Sequence, residues 1–203
     1  MDVLFATHNK SKLKHYKSEL EKLGINVLSL DDLNINYDVK EVSLNTRENA
    51  IKKATEYYQI AKIPTIAVDD GLFFENIPDK LQPGAYVRRI DGKSASTDEK
   101  LIEHYVDIVN QYGVDGKLNG KWVKGIAIAK SENDIRSLSF DVEKIFVSEV
   151  SSKRNEGYPL DSMSITPYFN KYTVDLTEEE NLILKEKTNS KLIKFLRESF
   201  KRI

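Results

Sequence analysis

The sequence predicts an α/β fold, on three observations. Met1 to Ala6 is a short apolar run that ends in a polar turn, Thr7 to Lys12, and leads into Leu13, Tyr16, Leu20 and Leu23 at helical spacing. A second helical stripe, Ala50, Ala54, Tyr57 and Ala61, stops at Pro64 and gives way to the buried-strand run Thr65-Ile66-Ala67-Val68. Strand, helix and strand in that order are the signature of α/β wrapping. Further on, Trp122 to Ala129 and Leu138 to Val147 are β-rich and flank the turn residues Ser131-Glu132-Asn133-Asp134, which predicts an antiparallel hairpin.

The remaining elements follow in order. Gly24-Ile25-Asn26 closes the first helix, and Val27 to Leu30 reads as a second strand. Asn45-Thr46-Arg47-Glu48 has a capping residue with an acid three positions on, a capping-box pattern that opens the second helix. The third strand is expected to end at Asp69-Asp70-Gly71. Thr97 and Asp98 open a helix over 97–112 with Leu101, Tyr105 and Ile108 on one side. A polar stretch with Gly157, Pro159 and Pro167 precedes a last helix. That helix carries Leu192, Phe195, Leu196 and Phe200 on one side, with Lys191, Lys194, Arg197 and Lys201 around them. Cations near a helix C-terminus complement its dipole, so this basic face reads as solvated surface.

Composition narrows the function classes. The 203 residues are 40% hydrophobic and 31% charged, which fits a soluble globular chain expected to form one domain over 1–203. A formal net charge of −1 gives no electrostatic footprint for nucleic acid. No apolar run approaches membrane-spanning length, and no basic segment followed by an apolar core marks a signal peptide. The chain has no cysteine, which excludes disulfides and thiolate metal sites and is compatible with the expected cytoplasmic location.

Chemistry concentrates in a few places. The turn Thr7-His8-Asn9-Lys10-Ser11-Lys12 lies where a strand hands over to a helix, so unpaired backbone N–H groups and the helix dipole favour an anion, and Lys12 adds a full positive charge. It has neither a Walker pattern nor a GxGxxG fingerprint. Asp69 and Asp70 sit at the carboxyl end of a predicted strand, where open α/β sheets place ligands; one could bind Mg²⁺, and a turn with a capped or solvated acid pair is the competing reading. Glu41 and Glu48 are further acids, although Glu48 is accounted for as a capping residue. Pro83 to Arg89 offers a turn, an aromatic ring and guanidinium groups suited to phosphate. His8, His15 and His104 have no metal-ligand spacing, and no Gly-x-Ser-x-Gly elbow supports acyl transfer.

Together these stretches resemble the inosine triphosphate pyrophosphatase-like family, which cleaves non-standard purine nucleoside triphosphates to the monophosphate and pyrophosphate. Ala6 to Lys12 is similar to the family's Thr-x-Asn-x-x-Lys triphosphate loop. Glu41 with Glu48-Asn49-Ala50 and Lys53-Ala54 resembles its Glu…Glu-Asn-Ala-x-x-Lys-Ala segment. Ala67 to Leu72 resembles Ala-Asp-Asp-Ser-Gly-Leu, and Pro83 to Arg89 resembles Pro-Gly-x-Tyr-Ser-Ala-Arg. Matched without a gap, Asp69 takes the place of the catalytic second Asp and Asp70 replaces Ser; with one residue deleted, Asp70 would be the catalytic one. The ungapped match also aligns the preceding helix and strand and is preferred.

The second half departs from the pattern. Gly157-Tyr158-Pro159-Leu160-Asp161 keeps a Gly, an aromatic ring and an Asp of the base-contacting segment, whereas 179–187 has no Ser-His-Arg. The resemblance implies a mixed sheet with flanking helices in an elongated, two-lobed architecture with a central cleft, a homodimer, and Mg²⁺ as cofactor. It also implies catalytic roles for Asp69, Asp70 and Lys12, and a metal held by Glu41 and Asp69 with Glu48. Substrate contacts are implied from Thr7, His8, Asn9, Lys10, Ser11, Lys12, Lys53, Arg89, Tyr158 and Asp161. Because a site that hydrogen-bonds one base edge discriminates strongly, the missing Ser-His-Arg leaves two other readings open: a pyrophosphatase for a different modified nucleotide, and a nucleotide binder without turnover.

Overall fold

The structure, a computed structural model, describes residues 1–200, the side chains of His15 and Asn189 excepted. Lys201, placed on the basic face above, lies outside the described residues, as does the side chain of His15. The architecture is α/β with a mixed sheet. Strands β1 (Asp2–Phe5), β2 (Asn26–Leu28), β3 (Thr65–Phe74), β6 (Lys117–Ser131), β7 (Asp134–Val147), β8 (Ser164–Thr166) and β9 (Lys171–Tyr172) form one seven-stranded sheet in the order β2-β1-β3-β6-β7-β8-β9. β1 pairs in parallel with β2 and β3, whereas β7/β8 and β8/β9 are antiparallel. Two short strands, β4 (Arg89–Ile90) and β5 (Lys93–Ser94), make a separate ribbon. The helices are α1 (Lys10–Glu21), α2 (Thr46–Ala61), α3 (Asp98–Tyr112) and α4 (Glu178–Phe200).

The chain divides into two compact units. Among the described residues the first contains Met1–Asp70, Lys124–Phe140 and 189–200; the second contains Gly71–Val123 and Asp141–Thr188. In the first, most of the stripe predicted on α2 is buried: Ala50, Ala54 and Tyr57 join Leu4 of β1, Ala6 just after it, Ala67 of β3 and Ala127 of β6 in one cluster, with Ala61 partly buried against it. The small side chains matter here, because they let α2 approach the sheet closely. Gly125 has no room for a side chain, since a Cβ there would stand 2.5 Å from the Thr46 carbonyl oxygen and 2.6 Å from the Arg47 nitrogen. The second unit has its own core, in which Leu101, Tyr105 and Val109 of α3 meet Leu72 and Phe74 of β3 and Phe146 of β7.

Several boundaries differ from the sequence reading. α1 ends at Glu21, so Leu23 lies in the following turn, where its N–H donates to Leu20 O at 3.0 Å. The hairpin strands β6 and β7 are longer than predicted and leave only Glu132-Asn133 between them. The largest difference concerns β3, which does not stop at the acid pair but runs through it to Phe74. Leu72 continues the pairing by exchanging backbone hydrogen bonds with Gly84 at 2.9 and 3.0 Å, and Gly84 at φ +53° allows the Pro83-Gly84 turn to do this. The turn reading of Asp69-Asp70-Gly71 is therefore replaced by continuous strand.

Candidate active site

In a strand successive side chains point to opposite faces, so Asp69 and Asp70 must face different partners, and they do. Asp69, 4% exposed, faces α2. Asn49 and Lys53, one helical turn apart and hence on the same side of α2, both reach it. Asn49 Nδ2 donates to Asp69 Oδ2 at 3.0 Å, and Lys53 Nζ donates to Oδ1 at 3.2 Å. Lys53 also donates to Glu41 Oε1 at 2.5 Å, so two carboxylates converge on one ammonium group. Burial raises the Asp69 carboxyl above its ordinary range; Lys53 opposes this and the nearby Glu41 adds to it.

Asp70 faces the loop after β1. Lys12 Nζ lies 3.0 Å from Asp70 Oδ2, and Lys124 Nζ of β6 lies 3.9 Å from Oδ1. Burial pushes the Asp70 carboxyl up, yet Lys12 and Lys124 together overcome it and hold the group well below the ordinary carboxylate range. Lys12 shows the reciprocal effect: burial works against its charge, but Asp70 outweighs it and raises its pKa. Asp70 Oδ1 is buried and accepts no hydrogen bond from any described residue.

The loop itself is more self-contained than its sequence predicts. Asn9 caps α1, accepting at Oδ1 from the N–H groups of Ser11 at 2.9 Å and Lys12 at 3.1 Å, while Thr7 Oγ1 accepts from the Asn9 N–H at 3.1 Å. The expectation of unpaired amides at these three positions is corrected: the side chains of Thr7 and Asn9 have taken them. Lys10 begins the helix exposed. His8 Nε2 lies 3.1 Å from the Tyr37 carbonyl, which also accepts from the Tyr57 hydroxyl at 2.8 Å, so the loop is tied to the segment that leads to Glu41.

The second helix start is corrected likewise. Asn45 caps α2 as predicted, but Glu48 does not close the box directly. Its carboxylate accepts from Ser43 Oγ at 2.6 Å, and Ser43 Oγ accepts from the Asn45 N–H at 3.0 Å. Glu48 is thus directed to Ser43 while Glu41 and Asp69 meet at Lys53. Among the described residues no group of three or more His, Cys, Asp or Glu is arranged to hold a metal, so Glu41, Asp69 and Glu48 do not form a ready three-acid cage. Two converging carboxylates still suit Mg²⁺, a hard cation that commonly takes one or two protein carboxylates and fills its shell with water and phosphate oxygens.

Lys53 and the loop residues thus fall in the first unit with the acids. Arg89, Tyr158 and Asp161 belong to the second. There Arg89 stacks over the Tyr86 ring with 4.1 Å to its centroid, and Asp161 accepts from Asn155 Nδ2 at 2.9 Å. The stretch 179–187 is part of the uninterrupted helix α4. Two residues with no predicted role take part in the site: Asn49, signalled by its place in the Glu-Asn-Ala stretch, and Lys124, which sits in a strand and has no local motif to announce it.

Fold and site together define an α/β protein that gathers three lysines and three carboxylates around the middle of one sheet strand. The chain belongs to the Ham1 family, which it matches over residues 3–187, in agreement with the resemblance read from the motifs. A dITP/XTP pyrophosphatase of Mannheimia succiniciproducens is 30% identical over 81% of both chains, and one of Leptospira interrogans is 28% identical over 94% of both. A HAM1 protein from Coxiella burnetii superposes with a TM-score of 0.79 at 24% identity, covering 98% of this chain and 99% of that one. The Staphylococcus aureus Ham1 protein gives 0.77 at 20% identity with the same coverage. These two likenesses establish the fold.

Proposed function

We propose that this protein is a nucleoside triphosphate pyrophosphohydrolase, converting a triphosphate and water to the monophosphate and pyrophosphate, with non-standard purine nucleotides of the ITP, XTP and dITP class as substrates. The observation that carries the reading is the approach of Lys12 to Asp70, which brings the loop after β1 against the acid pair of β3. The names of the 26–30% identical relatives support the same chemistry.

In this reading Thr7, Asn9 and Lys12 position the polyphosphate, with Lys53 as a further cation. Asp69 orients the attacking water and accepts its proton. Glu41 and Asp69 would hold Mg²⁺, which when bound neutralises charge on the departing pyrophosphate. No side chain forms a covalent intermediate, in keeping with phosphoryl chemistry that depends on positioning and electrostatics. Arg89, Tyr158 and Asp161 are proposed as further nucleotide contacts. The working state is proposed to be a cytoplasmic homodimer; no described helix is long and apolar enough to cross a membrane.

The test is product analysis across ITP, dITP, XTP, ATP and GTP with Mg²⁺ present. Monophosphate and pyrophosphate in equal amounts, abolished by EDTA, are expected. Saturable nucleotide binding with no product, or release of orthophosphate alone, overturns the reading.

A further inference from the structure

Asp70, the residue after the catalytic candidate Asp69, sits between two lysines, Lys12 at 3.0 Å and Lys124 at 3.9 Å. The three side chains are only 18–28% exposed, so the charges interact with little solvent screening. The wider site sets Lys12, Lys53 and Lys124 against Glu41, Asp69 and Asp70, so its side chains alone carry no formal net charge.

We infer that Asp70 is a built-in counter-anion: its carboxylate occupies the phosphate-binding cations Lys12 and Lys124 in the free protein, and a phosphate group of substrate or product must take its place. Two observations carry this beyond a simple ion pair. Asp70 approaches two lysines from different elements, α1 and β6, as a bridging phosphate oxygen pair would. Its Oδ1 is also buried without a hydrogen-bond donor among the described residues, so the carboxylate is held by charge on that side rather than by a fixed donor. The exchange breaks the Lys12–Asp70 contact and forms a lysine–phosphate contact of the same kind. The consequence is weakened retention of polyphosphate, and above all of the pyrophosphate product, whose binding energy would otherwise slow release. The inference rests on the proposed phosphate site but not on turnover.

Calorimetric titration of the full chain with inorganic pyrophosphate, without nucleotide, tests it. Asp70→Asn and Asp70→Ser are expected to bind pyrophosphate about ten- to hundredfold more tightly than the unaltered protein. Asp70→Asn combined with Lys124→Met returns toward the unaltered affinity, because the second change removes one of the two cations that face Asp70. Unchanged or weaker binding in the folded single variants overturns the inference. If neither single variant folds by circular dichroism, Lys124→Met alone decides: about tenfold weaker binding is expected, and unchanged binding overturns it. Failure of the hydrolase reading would show separately, as absence of product in an otherwise pyrophosphate-binding protein.

Discussion

Lys12 Nζ stands 3.0 Å from Asp70 Oδ2, and this contact joins the first turn of α1 to the middle of β3. It fixes the direction of the half-buried Lys12 ammonium group. Lys12→Ala is expected to raise KM for a nucleoside triphosphate by about tenfold or more, the scale of a lost charged hydrogen bond. Steady-state kinetics with ITP or XTP checks this.

Asp69 faces the other way, onto Asn49 and Lys53. Asp69→Asn preserves its size and is expected to lower kcat at least about a hundredfold while leaving the circular dichroism spectrum unchanged. Near-normal turnover would move the catalytic role to Asp70.

Asn49 has all its side-chain groups engaged inside the protein. It is 1% exposed, donates to Asp69 and to Ser43 O at 2.8 Å, and accepts from the Ser43 N–H at 3.1 Å. Asn49→Leu leaves those partners unsatisfied and is expected to cost about 1–3 kcal/mol. It also frees the Asp69 carboxylate to rotate. Urea unfolding measures the first effect, and a fall in kcat larger than the change in KM measures the second.

Gly125 lets the start of α2 rest on β6. Gly125→Ala places a Cβ 2.5 Å from the Thr46 carbonyl, a backbone atom that cannot swing aside. Displacement of α2 is expected to cost about 1–3 kcal/mol and to loosen the Glu41–Lys53–Asp69 group carried against it. Thermal unfolding and turnover of the same variant check both.

A complete capping box occurs at α4, not at α2. Thr177 Oγ1 accepts from the Glu180 N–H at 3.2 Å, and Glu180 Oε2 accepts from the Thr177 N–H at 2.9 Å. The Lys171 ammonium and the Thr177 N–H lower the Glu180 pKa from its ordinary 4.5. A lowered folded-state pKa means stability that is fully present above the unfolded value and is lost as pH falls through the folded one. Glu180→Gln is therefore expected to be less stable than the unaltered protein at neutral pH, with the difference shrinking once pH drops below 4.5. Urea unfolding at a series of pH values follows it.

Features that depend only on neighbours along the chain are legible from the residues alone. The strand–helix–strand order, the Asn45 and Thr97 caps, the Ala50-Ala54-Tyr57 stripe and the motif spacing all follow from local periodicity and side-chain reach. Tertiary structure decided what those residues face. Asp69 and Asp70 read alike in sequence, but β3 continues through them because Leu72 finds Gly84 as a pairing partner, and a continuous strand must send adjacent side chains to opposite faces. Lys124 and Asn49 acquire their roles the same way, from elements brought together by packing over long stretches of sequence, and Glu48 is directed to Ser43 by a hydroxyl that no periodicity could single out. Contacts of this kind depend on distance in space, and that distance is fixed only once the small residues of α2 and β6 have let helix and sheet close together.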